Sequence, residues 1–288
     1  MADNITKRKK VSRSLGGNIA MSLFLLICGI FMALPIVYTA ICAFKPINEL
    51  FLYPPRFFVQ NPTLDNFITM FQLVANFRVP FLRYLFNSLI VAGIGTFVYV
   101  ILAALAAYPL AKHKFYGKVF LFNIVVWALL FRPEVTAIPQ YIVISKLNLI
   151  NTYLALMFPA LGGTIGVFLM KQFITSFVPD ALLEAARIDG ASEWKTFWSV
   201  VMPMTKPAWL TLTMFTFQLL WNPQGGTQYI YEEPMKVLPV ALTQIASVGI
   251  ARAGASAAIA LFLLIPPILV FIFTQSAVIE TMSTSGLK

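Results

Sequence analysis

Five stretches of this chain contain no Asp, Glu, Lys or Arg: 14–44, 84–111, 147–170, 207–231 and 253–279. A helix needs about 20 mostly apolar residues to cross the hydrocarbon of a bilayer, and each stretch is long enough. They predict an all-α polytopic membrane protein. A sixth apolar stretch, 119–145, is interrupted by Arg132-Pro133-Glu134. The part before the charges is too short to cross, but continuing to Ser145 brings it to length with the charges toward one end. Six transmembrane helices follow, arranged as a basic segment over 1–17 and one membrane domain over 18–288. The first apolar run is far longer than the roughly 7–15 residues of a signal-peptide core, so it reads as a retained helix.

Composition excludes other classes. The chain is 59% apolar and 11% charged, against about half and a quarter in ordinary soluble domains. Its net charge of +10 has no soluble surface on which to form a nucleic-acid-binding patch, so no nucleic-acid partner is expected. Cys28 and Cys42 would lie about 21 Å apart along one helix, beyond disulfide reach. With His113 as the single histidine, neither a zinc site nor a catalytic triad is expected.

Lys and Arg concentrate in cytoplasmic connections. Lys7-Arg8-Lys9-Lys10, Arg13, Lys112, Lys114 and Lys118 place both termini in the cytoplasm, with 112–118 and 171–206 on the same side. The segments 45–83, 132–146 and 232–252 then lie outside. A five-helix count would put the C-terminus outside instead.

The connection over about 172–206 carries the most information. Pro179 cannot sit inside a helix, and Asp180 is a good N-cap. Residues 181–189 are mostly helix formers, and Gly190 suits the left-handed position that ends a helix. Ser192 reads as a second N-cap, and Pro203 as the end of a second short helix. Leu182, Ala185, Ala186 and Asp189 share one face of the first helix. On pattern alone this is either an amphipathic loop on lipid headgroups or a knob that docks into a groove of a soluble partner.

Glu184-Ala185-Ala186, then Asp189-Gly190-Ala191, then Pro203 with Lys206-Pro207, resembles the EAA loop of ABC-importer permeases. The closer likeness is to the carbohydrate branch, of the second maltose-permease-subunit type. Asn87-Ser88-Leu89, Leu149-Ile150-Asn151-Thr152-Tyr153 and Trp221-Asn222 agree with it. The resemblance implies a type I importer permease fold and a place in the bacterial inner membrane. It implies a related second permease chain, two ATPase subunits carrying ATP and Mg, an extracellular solute-binding protein and a carbohydrate substrate. The ATPase-coupling residues would be Asp180, Leu182, Glu184, Ala185, Ala186, Asp189, Gly190 and Pro203. This chain would itself bind no cofactor and catalyse nothing: Gly117-Lys118 lacks the glycine spacing of a phosphate-binding loop.

Candidate substrate-pathway residues are Asn87, Arg132, Glu134, Trp221 and Asn222. Charge at the centre of a membrane helix costs about 2.5–3.5 kcal/mol per residue. Arg132 and Glu134 are therefore expected in the outer headgroup zone or at the mouth of a pathway. Trp221, Asn222, Gln224 and Tyr229 would form an aromatic and amide cluster suited to sugars, with Tyr229 and Tyr231 better explained as an interfacial belt. Gly93, Gly95, Ala103, Ala104, Ala106 and Ala107, and Gly162, Gly163 and Gly166, predict close helix packing. Pro266-Pro267 predicts a kink. Alternatives are an importer for an amino acid or polyamine, and an ATP-independent carrier. A carrier would usually hold acidic groups mid-helix, and the five charge-free stretches have none.

Overall fold

The computed structural model describes residues 15–75, 79–223, 226–246 and 252–285, and the regular structure among them is all helical. The longer elements are α1 (Leu15–Ala43), α2 (Asp65–Ala75), α3 (Phe81–Lys112), α4 (Lys118–Ala128), α5 (Pro133–Lys146), α6 (Tyr153–Leu161) and α7 (Thr164–Phe177). They continue as α8 (Asp180–Ile188), α9 (Glu193–Thr196), α10 (Lys206–Trp221), α11 (Leu238–Ala246) and α12 (Ala253–Ser285). The basic residues at positions 7–13 lie outside the described residues.

The expected order of apolar segments is present, but not as six uninterrupted crossings. Among the described residues three helices, α1, α3 and α12, are each long and apolar enough to span a bilayer. Two further spans exist only as bent pairs. The α4–α5 pair turns by 109°, so residues 119–145 do not form one straight helix. The cause is local: Arg132 precedes Pro133, whose ring pushes it out of the helical region to φ −79° and ψ 145°. The α6–α7 pair bends by 45° at Gly162-Gly163. The remaining apolar segment, α10, has 16 residues, about 24 Å of helix against a hydrocarbon thickness of roughly 30 Å.

α3 organises the packing. Its first half shares an apolar cluster with Met70, Leu156, Leu220, Trp221, Leu238 and Ile259, and its second half shares one with Met170, Ile174, Leu183, Phe197 and Leu212. Buried Ala103, Ala104 and Ala107 let α7 approach it closely. Gly93 and Ala106, expected on the same face, point outward. A Cβ on Gly95 would stand 2.6 Å from Leu220 Cδ1, and one on Gly166 would stand 2.5 Å from the Tyr99 hydroxyl. That hydroxyl donates to Gly163 O (2.8 Å) and accepts from Gly166 N (3.0 Å). Gly162 meets nothing closer than 3.8 Å, so close approach falls on its two neighbours.

Pro266-Pro267, where a kink is expected, lies inside α12, which stays helical through both residues. Pro267 has no N–H to give to the carbonyl four residues before it, Leu263 O. Trp221 Nε1 donates to that carbonyl (3.1 Å). Outside the spans, the 45–66 connection buries two charges. The Lys45 ammonium donates to Arg56 O, and Glu49 accepts from Gln60 N (3.0 Å), Asn61 N (2.9 Å) and Asn61 Nδ2 (3.1 Å). These bonds, that from Gln60 foremost, hold the Glu49 carboxyl below its usual range.

Candidate functional site

The 178–206 connection forms two short helices that meet at Gly190. Pro179 occupies the cap position of α8 (φ −65°, ψ 139°), so Asp180 is already the first helical residue and not the N-cap expected of it. Its carboxylate instead accepts from Lys112 Nζ (2.7 Å) at the end of α3, which lowers its pKa. Gly190 has φ +74°. Ala191 N donates to Ala186 O (2.9 Å) and Gly190 N to Arg187 O (3.0 Å), the paired bonds of a Schellman turn. No other atom would meet a Cβ on Gly190, so its backbone angle alone requires glycine. Ser192 caps α9, its Oγ accepting from Lys195 N (3.3 Å).

Pro203 does not end the second helix. Its helical path runs from α9 through a π turn over Phe197–Val201 into Met202–Met204, and breaks at Thr205. The π turn widens the backbone where the Pro203 ring would otherwise meet a carbonyl four residues earlier.

Glu193 joins this loop to α3. It accepts from Arg187 Nε (2.8 Å), Tyr108 Oη (2.8 Å) and His113 Nε2 (3.1 Å). The Arg187 bond first, then that from Tyr108, pulls its carboxyl down to about 2. With Lys112–Asp180, both ends of α8 are tied to the Lys112 end of α3. Leu183 is buried between those ties. The opposite arc of α8 carries Leu182, Ala185, Ile188 and Asp189, all exposed, with Glu184 exposed and Ala186 half-buried beside it. Ile188 is 86% exposed and Trp194, just past the turn, 61%. Sequence periodicity picked out Leu182 but missed Ile188, although an apolar residue directly before Asp-Gly was a visible signal. It also missed Glu193 and its partners, which are too far apart in the chain to form a pattern.

The five pathway candidates are not gathered in one place. Arg132 and Glu134 form an exposed ion pair (3.5 Å) at the α4–α5 bend, and Asn222 is exposed just past α10. Asn87 is fully buried: its Nδ2 donates to Pro234 O (2.9 Å) and Lys236 O (2.8 Å), and its Oδ1 accepts from Tyr153 Oη (2.6 Å). Ser88 Oγ accepts from Leu238 N (2.7 Å), and Asn151, at φ 64°, donates its N–H to Tyr229 O (2.8 Å). These residues clamp the 229–238 segment to the Phe81 end of α3. Trp221 is buried and stacked on Phe217, with its N–H spent on Leu263. Tyr229 is not at a lipid interface but buried, whereas Tyr231 is exposed. Gln224 lies outside the described residues.

The family described as "Binding-protein-dependent transport system inner membrane component" matches residues 68–282. The sn-glycerol-3-phosphate transport system permease protein UgpE of Yersinia enterocolitica is 32% identical over 232 residues, 80% of this chain and 78% of that protein. The melibiose/raffinose/stachyose import permease protein MelC of Bacillus subtilis is 28% identical over 205 residues, 70% of this chain and 74% of that one. The fold matches a chain of a bacterial ABC transporter involved in the import of the acidic polysaccharide alginate. There the TM-score is 0.76 and the identity 19%, over 92% of this chain and 98% of that chain.

Proposed function

The chain belongs to the binding-protein-dependent transport system inner membrane components, and from that membership we propose that it is the sugar-importing permease subunit of an ABC importer, with α8 as its ATPase-docking helix. The names of the similar proteins support a carbohydrate or polyol substrate. One such chain makes half a pathway, so a second, related permease completes it. Two separate ATPase subunits supply ATP and Mg, and an extracellular binding protein delivers the solute. Both termini face the cytoplasm.

The observation that carries this reading is the unpartnered apolar arc of α8, held rigidly by its ties to α3. Leu182, Ala185 and Ile188 form a small knob suited to a groove, flanked by the acidic Glu184 and Asp189 for basic groups of the partner. When ATP closes the ATPase dimer, α8 moves as a body. Asp180–Lys112 and Glu193–Tyr108 pass that movement to α3. The Asn87–Ser88 clamp stands about 25 residues back along α3 from Lys112, about 38 Å away. Displacement at the loop thereby reaches the 229–238 segment, and hydrolysis resets the inward-facing state.

The test is co-purification of the ATPase with Gly190→Val and Glu184→Lys variants, together with sugar uptake in the same membranes. Both variants are expected to insert normally and to lose uptake, with weaker ATPase binding. Normal binding and uptake in both would remove α8 as the coupling element.

A further inference from the structure

We infer that a cavity among the helix breaks of this chain is a binding subsite for one ring of a neutral sugar. The inference rests on the importer reading above and narrows its substrate class. The cavity holds about 410 Å³, within the roughly 300–1,000 Å³ of small-molecule sites. Three discontinuities meet around it. The α4–α5 bend contributes Pro133, the α6–α7 bend contributes Gly163 and Thr164, and the chain just past α10 contributes Pro223. Interrupted helix within a bilayer leaves backbone groups unpaired, and it is tolerated where it lines a cavity inside the protein. Gly163, in the wall, bonds Tyr99, near the middle of α3.

Two polar side chains of the wall are unspent. Tyr229 is 5% exposed, yet its hydroxyl has no hydrogen-bond partner among the described residues. The oxygen is not among the fully enclosed polar atoms, so it opens onto the cavity and can bond what enters it. Its ring lies nearly parallel to that of Tyr141, centroids 6.2 Å apart, so its aim is held by stacking and not by a bond of its own. Gln140 lines the same cavity, and its side-chain amide likewise bonds no other described residue. Phenol and amide each donate and accept, as sugar hydroxyls do, and the proline and tyrosine surfaces offer apolar area to the C–H face of a ring. Among the described residues no Lys, Arg, Asp or Glu lines the cavity. A phosphate or carboxylate would therefore lose its hydration there without a counter-charge. The occupant is uncharged and polyhydroxylated, unlike the glycerol phosphate and the acidic polysaccharide named for two of the similar proteins.

The experiment uses the whole importer, this chain with its partner permease, ATPase and binding protein, in lipid vesicles. One arm supplies tritium-labelled short neutral oligosaccharides; the other supplies labelled sn-glycerol 3-phosphate and alginate oligosaccharides. Uptake is measured, and so is the label retained when ATP and vanadate trap the complex. The wild type is expected to import and retain the neutral label. Tyr229→Phe and Gln140→Leu should each retain about fivefold less, with thermal stability unchanged, because neither group is bonded to the protein. Retention equal to wild type in both variants overturns the subsite and leaves the importer reading standing. So does destabilisation of both, which would make the groups structural. Import of the anionic pool alone overturns the neutral class. Import of neither pool overturns the carbohydrate reading itself, and the subsite with it.

Discussion

Trp221 donates its indole N–H across 3.1 Å to the carbonyl of Leu263, the oxygen that Pro267 leaves without a helical donor. A proline inside a membrane helix is thereby matched by a donor from a neighbouring helix, α10. A free carbonyl in a water-poor interior costs about 1–3 kcal/mol. The pairing lets α12 run on through both prolines.

Trp221→Phe keeps the stack on Phe217 and removes only the donor. It is expected to lower the stability of the detergent-solubilised protein by about 1–3 kcal/mol. Pro267→Ala restores an N–H for Leu263 O, so in that background the same substitution should cost much less. Thermal melts of the four proteins form a double-mutant cycle. Strictly additive effects would show that the two residues do not share this carbonyl.

At Gly190 the constraint is the backbone alone. A left-handed angle costs a residue with a Cβ about 1–2 kcal/mol, less for Asn, which tolerates it. Gly190→Asn should therefore keep most uptake where Gly190→Val loses it. Side-by-side transport assays on matched protein amounts would show this ranking, and equal loss in both would point to a contact at Gly190 and not to its angle.

Glu193 carries a depressed pKa, about 2 when folded against about 4.3 unfolded. A depressed acid contributes stability that is full above its unfolded value and is lost as pH falls through the folded one. The thermal stability of wild type should exceed that of Glu193→Gln at pH 7, and the gap should close between about pH 4.5 and 2. Half the Glu193 side chain is exposed, so solvent screening keeps the gap small. A gap that stays constant down to pH 2 would show that the Arg187, Tyr108 and His113 contacts do not depend on its charge.

Gly166→Ala drives a methyl to within 2.5 Å of the Tyr99 hydroxyl, and overpacking of this kind costs about 1–3 kcal/mol. Tyr99→Phe removes the oxygen that is struck. The pair Gly166→Ala with Tyr99→Phe is expected to be more stable than Gly166→Ala alone, read from expression and melting of the purified protein. Further destabilisation by the second change would mean that the hydroxyl's bonds to Gly163 and Gly166 outweigh the clash.

The membrane class, the order of apolar segments and the left-handed turn at Gly190 were legible in the chain because each is local. A charge-free run states its own length, and a glycine between a helix-forming segment and a capping serine states its own backbone angle. The Asp180 carboxylate was misplaced by one position, since its preference for Lys112 over the nearby backbone depends on where α3 ends. The interruption of the third segment at Arg132-Pro133 was visible in the chain; its 109° size was not, although the restriction Pro133 places on Arg132 is local.

What the residues in line could not express is which polar groups are already spent. Asn87 and Trp221 carry the right chemistry for a sugar, yet Tyr153, Pro234, Lys236 and Leu263 use up their hydrogen-bonding atoms. Tyr229, assigned from sequence to an interface, keeps a free hydroxyl inside a cavity. On α8, Leu182 and Leu183 are equivalent by composition. Only the packing of Val178, Phe197 and the second half of α3 into one cluster turns Leu183 inward and leaves Leu182, with Ile188, facing out. Hydrogen-bond partners and core neighbours lie tens of residues to well over a hundred residues apart, and periodicity carries no information across that distance. Satisfaction and burial are properties of pairs, and the fold alone brings the pairs together.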